Sequence, residues 1–351
     1  MVKISRIFAG RRLFSTDIVG TRTGDVETRT DGVETRTGGV ETRTGGVETR
    51  CIASLLRIVM AAGLLTAQLH AGAWTLSKGH FWVKTAVFYQ STDSRFCTGQ
   101  DAQSLAFQGV GCTSAGHSAP FDPFIGGDSD FKAVFAELAY GVTGWLDVGV
   151  QAPFYSLRFT NLADPNRNRS NSIGDIRFYG KVRLLQKPFV ASIRVGAKSP
   201  TGDFTIDAEA VNVSEGQWDY EVFGEIGKSL WPFPGYVNLT VGYRFRDDNT
   251  DFDVSIGDEF NLSAEAGVNL TRKLSLKGSL DWLRGQRPKI RASSVTLDTR
   301  RELLTLGPTI SYAIVSNLSL ESGARFSVSG QDFPDGTQYF GGISYQFSLL
   351  K

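Results

Sequence analysis

SIGDIRFYGKVRLL, Ser172–Leu185, is the stretch on which the reading of this chain turns. Ile176, Phe178, Val182 and Leu184 share one phase, and Asp175, Arg177, Lys181 and Arg183 share the other. Side chains alternate across a strand, so this strand has one apolar face and one charged face. That combination suits a strand with lipid on one side and a polar lumen on the other.

The alternation continues in both directions, in stretches of about 10–14 residues from near Gly79 to the end of the chain. It predicts strands over Gly79–Gln90, Phe131–Val142, Trp145–Arg158, Gly174–Leu185, Phe189–Lys198 and Trp218–Leu230. Six more follow over Tyr236–Arg246, Glu259–Leu270, Leu274–Arg284, Glu302–Ile314, Leu318–Val328 and Gln338–Leu349. The connections are alternately short and long, the rhythm of a meander closed into a transmembrane barrel. Within hydrocarbon every backbone N–H and C=O needs a protein partner, so a spanning sheet must close on itself. The expectation is an all-β, single antiparallel barrel of about 12 strands, with both ends and the short turns in the periplasm.

Composition agrees. The 351 residues include 39 Gly, 24 Phe and only 2 Met, with a formal net charge of +1. Such a balance gives no pointer to nucleic acid. No uncharged apolar run is long enough for a spanning helix. A secreted β-sandwich would share this composition, but its water-facing surface would not be so uniformly apolar.

The segment before the first strand reads differently. TRTGDVE, TRTDGVE, TRTGGVE and TRTGGVE follow one another from Thr21, with a final TR at Thr49 and Arg50. One Val per unit cannot bury enough surface to offset chain entropy, so residues 1–50 are expected to be disordered. The repeats fit translated repeat DNA upstream of the true start. Arg50 and Arg57 then precede an apolar run, Ile58–Leu69, which ends in Ala71-Gly72-Ala73. This is the pattern of a signal peptide over 51–73, with cleavage after Ala73 and a barrel domain over 74–351. Cys51 would leave with the leader.

Trp145, Trp218, Trp231 and Trp282 fall at strand ends, where amphipathic rings form interfacial girdles. The last strand closes on Tyr345-Gln346-Phe347, an alternating aromatic terminus like the assembly signal of outer-membrane barrels, although Ser-Leu-Leu-Lys follows it.

Two segments carry a family resemblance. Ser172–Leu185 resembles the Gly-Asp strand opening, and GAKSPTGDF, Gly196–Phe204, resembles the Pro-Thr-Gly-Asp strand exit, of outer-membrane transporters named for a meta-pathway of phenol degradation. The resemblance covers about Trp74–Lys351 and implies a transport barrel. It carries no catalytic residues across, and no solute is inherited from it.

Chemistry is sparse elsewhere. His70, His80 and His117 lie in the leader, at the start of the first strand and in the first long loop, and no Ser/His or His/Asp pairing at plausible positions supports a hydrolase. Cys97 and Cys112 share the first extracellular loop and are expected to pair in an oxidising compartment, two separate thiols being the alternative. Asp247, Asn249, Asp251 and Asp253 echo the spacing of a calcium loop. Phe252 stands where that loop needs Gly, so a solvated acidic loop is the favoured reading and no cofactor is expected.

The lumen is the remaining candidate site. Its expected cations are Lys84, Arg177, Lys181, Arg183, Arg194, Lys198, Arg244, Arg246, Lys277 and Arg325. Its expected anions are Asp147, Asp175, Asp219, Glu221, Glu225, Glu265, Asp281 and Glu321. They could set up a transverse field that orients a solute, or fill the barrel as an ion-paired plug. The functional expectation is a passive channel for small solutes, aromatic or other hydrophobic compounds among them. A closed structural barrel and an outer-membrane hydrolase are the alternatives. The expected partners are outer-membrane lipid, lipopolysaccharide, the barrel-assembly machinery and a small-molecule solute.

Overall fold

Twelve strands pair in sequence order, and the last returns to the first. The computed structural model describes residues 72–104, 111–121, 127–160, 168–204, 212–249, 254–291 and 295–348. The strands are β1 (His80–Thr92), β2 (Asp128–Gly141), β3 (Leu146–Thr160), β4 (Ile176–Leu185), β5 (Val190–Ser199) and β6 (Asp219–Ser229). They continue as β7 (Gly235–Arg246), β8 (Glu259–Asn269), β9 (Leu274–Gly285), β10 (Glu302–Val315), β11 (Leu318–Gln331) and β12 (Thr337–Ser348). All neighbours are antiparallel. β1 pairs with β2 from Phe81 opposite Tyr140 to Thr92 opposite Ser129. Its other edge pairs with β12, from His80 opposite Ser348 to Tyr89 opposite Tyr339. Among the described residues the ring of twelve strands has no open edge, which removes the row of unpaired peptide groups that lipid could not satisfy.

The short connections, 142–145, 186–189, 230–234, 270–273 and 316–317, all lie at one end. Local side chains tie them. Thr143 Oγ1 accepts from the Trp145 amide at 3.2 Å, and Thr271 Oγ1 accepts from the amides of Lys273 and Leu274 at 3.1 and 3.0 Å. The long connections stand at the opposite end. There Asn168–Ile173, within the stretch expected to be a polar loop, adds a short strand to the outer part of β3. Backbone pairing beyond the membrane needs no side-chain alternation, so the sequence pattern could not signal it.

In the first long loop, Cys97 and Cys112 are joined with their Cα atoms 5.8 Å apart. The bridge closes 15 residues, which limits the freedom of the unfolded loop by about 3 kcal/mol. Beside it Ser94–Phe96 pairs with Ser118–Pro120 and with Pro334–Asp335, so the first and last connections at this end of the barrel share a small sheet. A helical turn, Gly99–Gln103, is capped by Thr98, whose Oγ1 accepts from the Asp101 amide at 3.1 Å. Asp101 in turn holds the buried Arg95 guanidinium at 2.7 Å.

The faces sort by polarity. Val87, Phe178, Val195, Leu239, Ile310 and Ile343 point outward and are exposed, while Arg177, Lys181, Arg194, Glu221 and Arg244 point inward and are buried. A water-soluble protein would reverse this arrangement, so the outer belt identifies a membrane-spanning surface. Trp145, Trp218 and Trp231 stand exposed at strand ends. Trp282 lies near the outer end of β9 and donates its indole N–H to Glu302 at 3.1 Å.

Leu239 sits mid-strand on β7, facing out between Ile226 and Ala264. Leu239→Arg should cost about 2–4 kcal/mol at that depth. The loss of the heat-modifiable, folded band after refolding into lipid measures it.

Candidate functional site

The interior divides into a filled side and an open side. Alternation aims Arg177 and Lys181 of β4, Arg194 and Lys198 of β5, Asp219, Glu221 and Glu225 of β6, and Arg244 and Arg246 of β7 into the lumen, where they meet. Arg194 Nε lies 2.9 Å from Glu225 and its Nη1 3.5 Å from Glu221. Arg177 reaches Glu221 at 3.6 Å, and Arg244 reaches both Glu221 at 3.4 Å and Glu259 at 2.7 Å. Lys198 is surrounded by Asp219 and Glu215, each at 2.9 Å, and Asp175 at 3.1 Å. Arg246 pairs with Glu259 at 2.9 Å and with Glu215. The charges on β4 to β8 pair with one another directly and fill that side of the barrel.

Pairing makes such burial tolerable, since a charge left alone in a dry interior costs several kcal/mol. It also leaves little slack, because Glu215, Glu221 and Glu259 each serve three cations and Asp219 and Glu225 two. Aromatic rings brace the array. The Arg194 guanidinium stacks 4.3 Å from the Phe223 ring centroid. Phe223 in turn lies over Gly242, where any side chain would collide with the ring. Tyr179 donates its hydroxyl to the buried Glu137 at 3.1 Å.

Two segments from outside the strands enter the lumen. From the extracellular end comes the buried stretch around Glu215, whose carboxylate also receives Arg301 at 3.2 Å. Burial alone would push the Glu215 carboxyl up, but Arg246, Lys198 and Arg301 together hold it well below the usual carboxylate range. From the periplasmic end comes a strap, residues 72–78. Lys181 Nζ donates to the Gly72 carbonyl at 3.0 Å, the Ala73 amide donates to Asn238 at 3.1 Å, and Ser192 donates to the Ala73 carbonyl. The Leu76 amide donates to the Asp147 carboxylate at 3.1 Å, and Trp74 meets the Tyr236 ring edge-on at 5.9 Å between centroids. Gly72 and Ala73, assigned to the leader from sequence, are therefore packed against the barrel wall. The small residues that mark a cleavage site are also the ones that fit between Lys181, Ser192 and Asn238.

Beside the ionic array a cavity of about 480 Å³ runs along β7 to β12 and β1. Its lining extends from Ser344 and Gln346 near the periplasmic end to Pro334 and Gly336 at the extracellular end. Hydroxyl and amide groups line much of it, among them Thr240, Asn261, Ser263, Thr305, Thr309 and Gln338. Lys84 and Lys277 both face this cavity, and Glu321 lies between them, paired with Lys84 and 3.5 Å from Lys277. Glu265 accepts from Tyr236 at 2.5 Å and Asp281 accepts from Ser263 at 2.7 Å. Arg325 faces the same space, and Arg183 lies half-exposed toward the periplasmic end of β4.

Three members of the array were missing from the sequence-derived set: Glu215, Glu259 and Arg301. Glu259 shares the phase of Asn261, Ser263 and Glu265 and was open to detection. Glu215 and Arg301 belong to loops, where no periodicity points a side chain inward. Of the calcium-like residues, Asp251 and Asp253 lie outside the described residues. Asn249 instead donates to the Glu215 carbonyl at 2.9 Å, and Asp247 accepts from the Asp248 amide at 2.9 Å. His80 opens β1 at the periplasmic end, with Nδ1 3.2 Å from the Lys78 carbonyl oxygen, while His117 belongs to the first extracellular loop. They stand at opposite ends of the barrel and share no site.

A model of the family described as "Putative MetA-pathway of phenol degradation" matches residues 128–341, more than half of the chain. No curated protein matches the chain by sequence. Among solved structures, the COG4313 outer membrane channel from Pseudomonas putida F1 is similar with a TM-score of 0.62 and 16% identity, over 78% of this chain and 98% of that one. The transport unit of the autotransporter AIDA-I from Escherichia coli matches with a TM-score of 0.46 and 11% identity, over 85% and 98%. A TodX deltaS2S3 mutant monoaromatic hydrocarbon channel matches at 0.43 and 8%, over 81% and 94%. The first likeness supports the fold.

Two outcomes follow from this geometry. Glu215 has a depressed folded-state pKa, so its stabilisation is complete above the ordinary carboxylate value of 4.5 and disappears as pH falls through the lower folded value. Protease sensitivity of the segment around Glu215 should be flat from about pH 8 to 5 and rise only in stronger acid, whereas Glu215→Gln should be sensitive throughout. Deleting residues 72–77 should increase single-channel conductance in planar bilayers. Unchanged conductance in a correctly folded barrel would mean that the strap obstructs nothing.

Proposed function

The chain belongs to the family described as "Putative MetA-pathway of phenol degradation", and we propose that it is an outer-membrane channel through which small solutes move passively. The barrel lies in the bacterial outer membrane, where closed antiparallel barrels with apolar outer belts reside. One observation carries the functional reading. A cavity of about 480 Å³, lined by hydroxyls, amides and charged groups, follows the barrel wall beside the ionic array, whose Arg194, Glu221 and Glu225 form its edge. A barrel built only as a scaffold would gain stability by packing that side as densely as the other. The polar lining replaces part of a solute's hydration as it passes, and the fixed charges set which solutes do so. The occupied lumen implies a narrow path, since both the periplasmic strap and the segment around Glu215 take up cross-section.

In this reading the lumen-facing residues fall into two groups. Arg177, Lys181, Arg194, Lys198, Asp219, Glu221, Glu225 and Arg244 hold the wall rigid. Lys84, Lys277, Arg325 and the neutral groups around them contact the solute. Lipid surrounds the apolar belt, lipopolysaccharide meets the long loops, and the assembly machinery reads the aromatic end of β12. The leader is removed upstream of the strap, at Ala71 rather than Ala73, so that Gly72 and Ala73 remain to fill their places. This is not an enzyme in our reading.

Refolded protein with the heat-modifiable mobility of a closed barrel should give small, discrete conductance steps in a planar bilayer. Folded protein that never conducts would establish the closed structural barrel instead.

A further inference from the structure

Arg325 differs from the arginines of the ionic array. Arg177, Arg194, Arg244, Arg246 and Arg301 each meet at least one carboxylate. Arg325 is half-buried, mid-strand on β11, and among the described residues its side chain meets no carboxylate and donates no hydrogen bond. Its guanidinium carbon lies 5.6 Å from the centroid of Phe88 and 5.6 Å from that of Phe340. Those rings are themselves stacked, with centroids 5.5 Å apart. Glu321, four residues or two pleat repeats away on the same face, is already held by Lys84 and Lys277.

This arrangement fixes the position of the guanidinium through its contact with the rings and leaves its N–H donors uncommitted. Contact with aromatic rings satisfies the charge in part but none of the donors. A planar fork of donors matches the two oxygens of a carboxylate, a fit that a lysine ammonium cannot reproduce. The donors face the cavity that the solute path occupies, with Gln338 directly opposite Arg325 on β12.

We propose that Arg325, set on Phe88 and Phe340, is a carboxylate-binding station in the lumen, so that small organic acids are the solutes this barrel recognises. The inference deepens the channel reading and rests on it for access to the lumen. Its chemistry is separate, because binding at Arg325 can be measured whether or not current flows. The acid approaches as the anion, its two oxygens take the guanidinium N–H groups, and its apolar body lies against the ring-bearing wall. No bond is made or broken.

The test uses the full barrel, folded in detergent and checked for heat-modifiable mobility, with benzoate and the neutral benzyl alcohol as probes in calorimetric titrations. Wild-type protein should bind benzoate and prefer it to benzyl alcohol. Arg325→Gln should weaken benzoate binding by about tenfold or more, the scale of a lost charge-assisted hydrogen bond, and abolish the preference. Arg325→Lys should fall between the two, since it keeps the charge and loses the fork. Benzoate bound equally well by folded Arg325→Gln, or no better than benzyl alcohol by the wild type, would overturn the assignment. A lysine variant as tight as wild type would overturn it too, because a point charge would then suffice. Should the barrel bind benzoate at Arg325 yet never conduct, the station stands and the channel reading fails.

Discussion

Closure of the sheet is the constraint from which the other features follow. Hydrocarbon offers no partner to a peptide group, so the twelve strands must hydrogen-bond in a ring, and β1 completes it by pairing with both β2 and β12. Once the ring is closed, strand alternation leaves each residue only two destinations. Apolar residues go to lipid, and whatever remains goes to the lumen. The interior is thus charged because it must take the polar half of every strand.

A lumen filled in this way needs its charges to cancel. Basic residues on β4, β5 and β7 meet the acidic row of β6, and Glu259 and Glu215 complete the set. The pairing is local, so the filled region stays on one side of the barrel. On the opposite wall, β9 to β12 line the interior with many Ser and Thr hydroxyls and with fewer charges, Lys277, Asp281, Glu321 and Arg325. The eccentric cavity is the result of that difference in side-chain length and charge. Rigidity on one wall and space on the other are complementary, since the array keeps its bulk out of the solute path.

Both ends of the path are narrowed by segments that the barrel itself does not require. The periplasmic strap is held by polar groups of the wall, Lys181, Ser192, Asn238 and Asp147, which accept or donate to its backbone. The outer segment is held by electrostatics through Glu215. Asn249, which donates to the Glu215 carbonyl, and Ser214, which donates to Asp175, tie the outer segment as well, but its charge rests on one carboxylate among three cations. The two ends therefore respond differently to perturbation, the outer one to charge and the inner one to length of chain.

The alternation in Ser172–Leu185, repeated along the chain, was enough to determine strand number, inside-out polarity and closure, while the bridge between Cys97 and Cys112 was expected from two cysteines sharing one loop of an exported chain. These are properties of local pattern and of solvent, and a linear sequence carries both. The phase of Arg177, Lys181, Arg194 and Glu221 was legible for the same reason. Which acid meets which cation was not, because partners come from strands up to several positions apart and from loops without any period. Glu215 and Arg301 entered the array from such loops, and Gly72 and Ala73 entered the lumen although their composition reads as a cleavage site. Arg325 looked in sequence like one more lumen cation. That it stands apart from every described carboxylate, set against two stacked phenyl rings, depends on distances across the barrel, and only the closed tertiary structure sets those distances.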